Sequence, residues 1–244
     1  MQNLTQRQIE ILKHLIEEYI ETAQAVGSET LEKKRNISAS PATIRNEMVK
    51  LTELGYLQKP HSSSGRTPTS EGMKFYVNQL MKEKEISVTE EVELKEKVWD
   101  YRAQQPRLLK EIAKSLAEKT NALSIVATDE GEFYCSGYSN ILDMPEFFDI
   151  DLTRNLLGAI DEINYFSKIF ENTENDDEIH ILLGEELGPR LAAGPYGFVF
   201  GYFKTAKPTT GEIGVIGPTR LNYTYIVPAV RYFTNMVKEL AEGW

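Results

Sequence analysis

Two short runs of this sequence carry side chains whose types and spacing suit contact with a nucleic acid. In the first, SPATIRNEMVK, the small Ala42 and Thr43 stand beside Arg45, Asn46 and Lys50, just after Ser40. Short side chains allow close approach to a groove, asparagine pairs bidentately with adenine, and arginine or lysine reaches guanine or phosphate. The second run is His61, Ser62, Ser63, Ser64, Gly65, Arg66 and Thr67. Its hydroxyls, backbone amides and guanidinium match phosphate oxygens. Bond-making chemistry has no comparable candidate. Cys135 is the one cysteine, with no His or Lys near it in sequence, and reads as a buried inert thiol. His14, His61 and His180 lack metal-ligand spacing. The acidic tract ENTENDDE (171–178) lacks the alternate spacing of a calcium loop and reads as a solvated turn. Gly211, Gly214 and Gly217 run through a strand instead of opening a helix, so the dinucleotide fingerprint fails. No Ser/His/Asp arrangement stands out, and neither an enzyme nor a cofactor is expected.

The elements around the two runs must position them. Thr5 and Gln8 form a capping box, and Ile9, Leu12, Leu15, Ile16, Tyr19 and Ile20 follow at helical spacing until about Thr22. Ser28 opens a shorter helix with Leu31 inward. Ser40 then caps a third helix with Pro41 in its first turn, and Gly55 stops it. Ile44, Met48 and Leu51 form its inward stripe, so at about 100° per residue Ala42, Asn46, Val49 and Glu53 face away, flanked by Thr43, Arg45 and Lys50. The short apolar Tyr56-Leu57 precedes the serine-rich run, which has nothing to bury and should project as a loop between two short strands. Ser70 is the expected cap of an exit helix carrying Met73, Tyr76, Val77 and Leu80. Three helices followed by strand, loop and strand is the winged helix–turn–helix layout, a geometry that also serves protein contacts.

Whole-chain charge points the other way. The 244 residues carry a net −10, which taken alone argues against a polyanionic partner. The sum hides a division: residues 1–84 hold 12 Lys/Arg against 10 Asp/Glu, while the remainder holds 15 against 27. The basic part coincides with the third helix and the loop after it. A hydrophobic content of 41% is enough for a core. No apolar run nears the roughly 20 residues of a membrane span, and the N-terminus lacks a signal-peptide layout. A cytoplasmic protein is expected, with no membrane association.

Residues 82–104 are charge-rich, with a capping box at Ser87 and Glu90, and Val92, Val98, Trp99 and Tyr101 offer apolar surface to bury. Pro106 separates this stretch from a helix with Leu109, Ile112, Ala113 and Leu116 inward. Strands are expected at 123–127, 133–135, 179–183, 197–203 and 212–216, a mainly helical stretch from Pro145 to Phe170 with Leu152, Leu156, Ile160 and Ile163 inward, and a final helix from Tyr225 to Leu240 with Pro228 in its first turn. Arg220, after a rigid Gly-Pro-Thr turn, is either paired internally or exposed to a partner.

The strings LTQRQIEILKHLIEEYIETAQAVGSETL, SASPATIRNEMVKLTELGYLQKPHSSSGRTPT and EGMKFYVNQLM resemble the N-terminal domain of HrcA-type heat-inducible transcription repressors. GEIGVIGPTRLNYTYIVPAVRYFTNMVKEL is similar to that family's C-terminal signature, and SGYSNILDMPEFFD and IHILLGEE resemble segments between. The chain departs from the family in being shorter. It passes almost directly from LAEKTNALSIVATDEG to EFYCSGYSNILDMPEF, where family members carry more sheet and an inserted dimerisation segment. The resemblance implies an α+β fold: a winged helix DNA-binding domain (1–82), a helical linker (83–105) and a GAF-like α/β sandwich (106–244) with a dimerisation role. It also implies a homodimer on double-stranded, inverted-repeat operator DNA upstream of chaperone genes, with the GroE chaperonin as co-repressor and release on heat stress. The alternative is a winged helix regulator controlled by a small ligand at the GAF-like domain, without chaperonin dependence. A third reading is a protein-interaction module with no DNA role.

Overall fold

The computed structural model describes residues 4–35, 37–60, 65–162, 165–171, 173, 178–205 and 209–240. The chain divides into two compact units, Met1–Lys82 and Glu83–Trp244. In the first, α1 (Gln6–Thr22), α2 (Ser28–Arg35) and α3 (Pro41–Glu53) precede the two-residue antiparallel strands β1 (Leu57–Gln58) and β2 (Thr67–Pro68), and α4 (Ser70–Phe75) follows. The capping box of α1 forms as its sequence requires: the Thr5 hydroxyl accepts from Gln8 N, and Gln8 Oε1 accepts from Thr5 N at 2.9 Å. The α1 face that turns inward is shifted from the expected one. Tyr19 and Ile20 are only half-buried, whereas Ile11 and the charged Glu18 are buried. The exit helix is capped by Thr69, not Ser70; the Thr69 hydroxyl takes Gly72 N at 3.1 Å, one residue ahead of the expected cap. Its second half, Tyr76–Leu80, widens to a π-helix.

The second unit is built on a five-stranded sheet, antiparallel throughout, in the order β4-β3-β7-β6-β5. Its strands are β3 (Leu123–Thr128), β4 (Phe133–Ser136), β5 (His180–Leu183), β6 (Tyr196–Lys204) and β7 (Thr210–Pro218). Helices α5 (Val88–Trp99) and α6 (Gln105–Thr120) precede the strands, α7 (Tyr138–Leu142), α8 (Ile150–Asp161) and α9 (Tyr165–Glu171) run between β4 and β5, and α10 (Tyr223–Leu240) follows β7. Alternation along the strands divides the sheet into two faces. One meets α6 and α10. The other, with Leu123, Ile125, Phe198, Phe200 and Ile216, joins Phe147, Leu156, Phe166 and Phe170 in an aromatic-rich core. The result is the expected α+β class, an antiparallel sheet layered between helices.

The stretch Pro145–Phe170 is broken into a 3₁₀ turn (Pro145–Phe148), α8 and α9, because Asp149 caps a new helix by accepting from Asp151 N and Leu152 N. Ile163, expected inward, lies outside the described residues. The Ser87–Glu90 box is present, and Leu94 and Val98 are buried, but Val92 and Trp99 are 51% and 44% exposed, contrary to expectation. The inward face of α5 is set instead by packing on α6 and by Tyr232, whose hydroxyl donates to Glu91 O at 2.7 Å. Helix α10 starts at Tyr223, two residues early, so Pro228 sits inside it. A helical proline leaves the carbonyl four residues back without a donor; here Lys84 N supplies one to Thr224 O at 2.9 Å. Arg220 is paired internally, its Nη2 donating to Glu146 Oε2 at 3.0 Å and its Nε to Oε1. Gly214 lies beneath the Phe198 and Phe200 side chains, a packing role for the glycine series. Among the described residues, no helix is long and apolar enough to cross a membrane.

Candidate nucleic-acid interface

Helix α3 is the element that presents the first run. Its start is set by Ser40, whose hydroxyl accepts from Thr43 N at 3.2 Å, with Pro41 where no backbone donor is needed. Its end is a Schellman closure: Gly55 N donates to Thr52 O at 3.1 Å, Tyr56 N donates to Leu51 O at 3.0 Å, and Gly55 takes φ +84°. Ile44, Met48 and Leu51 are buried, which clamps α3 against the rest of the unit. By helical geometry the opposite face is then left to solvent, and Ala42, Arg45, Asn46, Val49 and Lys50 are all exposed. Thr43 is half-buried, its hydroxyl 2.9 Å from that of Ser40.

The cations of this region differ in availability. Arg45 makes no ion pair among the described residues. Lys50 Nζ donates to Glu47 Oε1 at 2.9 Å, and Glu47 Oε2 accepts from the buried Gln8 amide at 3.0 Å. The Lys50 hydrogen bond holds the Glu47 carboxyl below its ordinary pKa, against the opposing effect of burial. Lys34 and Arg35 turn inward to Glu18, at 2.7 and 3.2 Å, and Arg35 also meets Glu21 at 2.8 Å. That pairing, led by the Lys34 hydrogen bond, keeps the buried Glu18 ionised, with its pKa below the usual value. Part of the positive charge counted in the sequence is therefore spent within the unit.

Of the second run, His61, Ser62, Ser63 and Ser64 lie outside the described residues. Gly65 and Arg66 form the base of the loop. Val26 and Arg66 exchange both backbone hydrogen bonds, at 2.8 and 2.9 Å, and a Cβ on Gly65 would lie 2.3 Å from Val26 O. Only glycine permits that approach. The Arg66 Nε donates to the Thr52 hydroxyl at 3.1 Å, and that hydroxyl donates to Met48 O. Arg66 thus ties the loop to the last turn of α3, so its expected phosphate contact competes with an internal one. Thr67 differs from the other described members of the expected set in being buried, in β2 opposite Gln58. Val26, Thr52 and the Gln8–Glu47 contact went unnoticed in the sequence, and no local signal marks them, because each partner is between 14 and 40 residues distant along the chain.

Elsewhere the chemistry is unpromising. Cys135 has its thiol pushed up to about 11 by burial, so it is not a thiolate at neutral pH. Among the described residues, no three His, Cys, Asp or Glu side chains are grouped to hold a metal.

The family model described as "HrcA protein C terminal domain" matches residues 40–227. The "Heat-inducible transcription repressor HrcA" of Thermomicrobium roseum is 25% identical over 332 residues, covering 97% of this chain and 95% of the relative. That of Geobacter sulfurreducens is 24% identical over 342 residues, covering 100% of both. These alignments are longer than the 244 residues of the chain, so it is shorter than its relatives through internal gaps. In the structure, β3 runs into β4 through the short turn 129–132. A crystal structure of a hypothetical protein at 2.2 Å resolution superposes with a TM-score of 0.77 at 17% identity, covering 99% of both chains, which supports the fold. The chain belongs to the HrcA family, a family of heat-inducible transcription repressors and not of enzymes.

Proposed function

We propose that this protein represses chaperone genes in the cytoplasm by binding inverted-repeat operator DNA as a homodimer, and that heat stress releases it. The observation that carries the reading is the exposed stripe Ala42, Arg45, Asn46, Val49 and Lys50 on a helix capped at both ends and clamped by three buried side chains. In this reading α3 enters the major groove, Asn46 reads a base, Arg45 and Lys50 reach guanine or phosphate, and the Val49 methyls suit a thymine methyl. Ser40 and Thr43 stand at the helix N-terminus, whose positive dipole end favours a phosphate. The loop from His61 to Arg66 tracks the backbone as the wing. Residues 1–82 serve as the DNA-binding domain, 83–105 as its helical connection and 106–244 as a GAF-like domain with a dimerisation role. GroE acts as co-repressor.

A gel shift of the purified chain on an inverted repeat and on a scrambled duplex, with and without chaperonin, tests this. Operator binding strengthened by chaperonin supports the whole reading. Operator binding indifferent to chaperonin keeps the DNA role and removes the co-repressor. Equal affinity for both duplexes sinks base readout by α3.

A further inference from the structure

The second unit holds a cavity of about 720 Å³ beside α9 and β5, within the size range of small-molecule sites. Ile169, Leu182, Leu187 and Pro189 give it apolar walls. Its floor includes His180, buried, with its ring stacked on Phe200 at 5.1 Å between centroids. At the mouth two cations converge on one carboxylate: Arg190 Nη1 lies 3.4 Å from Glu162 Oε2, and Lys168 Nζ lies 4.0 Å from Glu162 Oε1.

Two features set this convergence apart from an ordinary surface ion pair. Helix α8 carries Gly158 in its interior, and a Cβ there would lie 2.0 Å from Arg190 Nη2 and 2.7 Å from its Cζ. Glycine is the poorest helix former after proline, and α8 carries it where the guanidinium lies. The carboxylate that the cations share is also badly placed. Glu162 is the first residue past α8, at the carbonyl end of the helix, where negative charge is disfavoured. Its contacts are long and partly exposed, the kind of pair that contributes little. Glu162 behaves as an internal stand-in for an anion that would be better held without that tether.

We propose that this cavity binds a small organic carboxylate with an apolar body, its carboxylate taking the place of Glu162 between Arg190 and Lys168. The body lies against Ile169, Leu182, Leu187 and Pro189, while Glu162 turns to solvent. A ligand carboxylate can meet the Arg190 guanidinium with both oxygens, a forked pair that the single 3.4 Å contact of Glu162 does not make, and its body adds apolar burial.

The test uses the full chain and ligand-observed NMR titration with benzoate, phenylacetate and hexanoate, against benzamide, phenylacetamide and hexanamide as neutral counterparts. At least one acid should bind saturably, about tenfold more tightly than its amide. Arg190→Gln should remove that preference. Gly158→Ala should do the same while keeping every charge, since the new methyl displaces the guanidinium; its unfolding temperature, unchanged or raised, shows that the fold survives. Glu162→Gln should tighten acid binding by removing the internal competitor. No saturable binding by any of the three acids up to about 10 mM, equal binding of acid and amide, or acid binding unmoved by Gly158→Ala would each overturn the proposal.

Discussion

Each unit holds a glutamate drawn out of solvent, Glu18 buried and Glu212 half-buried, and the two are treated in opposite ways. In the first, Glu18 is 3% exposed yet stays ionised, because Lys34 and Arg35 donate to both its oxygens. In the second, Glu212 on β7 lies among Tyr202, Phe170 and Asp129, and burial together with the Asp129 charge pushes its carboxyl up to about 7. Among the described residues it has no ion pair. The same side chain is a cross-link between helices in one unit and a cost to folding in the other. What differs is whether folding brings a cation into hydrogen-bond contact with it: Lys204 and Lys238 line the same pocket as Glu212 without pairing to it. The wider pattern follows: the small helical unit turns part of its charge inward, to pair α1 with α2, and leaves Arg45 bare on α3, whereas the sheet unit relies on a large aromatic core.

The largest effect should come from removing the paired acid. Glu18→Ala removes the buried carboxylate that ties α2 to α1, leaving Arg35 to Glu21 and Lys34 to solvent, and is expected to cost the first unit about 3 kcal/mol, read by hydrogen exchange of the α1 amides above pH 5. A loss below about 1 kcal/mol would make Glu18 no different from a surface pair. The unpaired acid should respond with the opposite sign. A carboxyl whose folded pKa is raised favours folding less as pH climbs from about 4.5 to about 7, so Glu212→Gln should stabilise the second unit by ~2–3 kcal/mol at pH 8 and by nothing near pH 4. Urea denaturation of both proteins across that range checks it, and a difference that does not vary with pH would refute the assignment. By the same linkage, the lowered pKa of Glu18 makes its contribution present above about 4.5 and lost as pH falls through its folded value.

Smaller effects probe the outward charges. Asn46→Ala should lose about 1–3 kcal/mol of discrimination between operator and mismatched duplex, with little change on random DNA; equal losses on both would turn Asn46 into a backbone contact. Smallest of all, Arg45→Ala should lower the slope of log affinity against log salt by about one unit, while Lys34→Ala should leave the slope unchanged because that ammonium is already paired. If the two variants shift the slope alike, the division between inward and outward charge fails.

Much of the fold was legible because its signals are local. Thr5, Ser40 and Ser87 mark helix starts through hydrogen bonds within three residues, and Gly55 marks a stop through its own φ, so these elements form where the sequence places them. Legibility failed where two local candidates competed, as with Thr69 and Ser70, or where packing decided a face, as with Val92 and Trp99 on α5. The exposed stripe of α3 was readable because Ile44, Met48 and Leu51 at helical spacing leave only one other side. The state of its charges was not readable.

The sequence alone thus determined the kinds and order of the elements, the outward face of α3 and membership of a family, since periodicity, caps and collinear motifs are written in adjacent residues. Only the tertiary structure decided which cations remain available, that Thr67 is buried, that Arg66 holds the loop to Thr52, and that Glu18 and Glu212 take opposite pKa shifts. The physical reason is that charge pairing and desolvation depend on neighbours supplied by distant parts of the chain. Glu18 meets Lys34 16 residues on, and Gln8 meets Glu47 39 residues on, separations that no local pattern encodes.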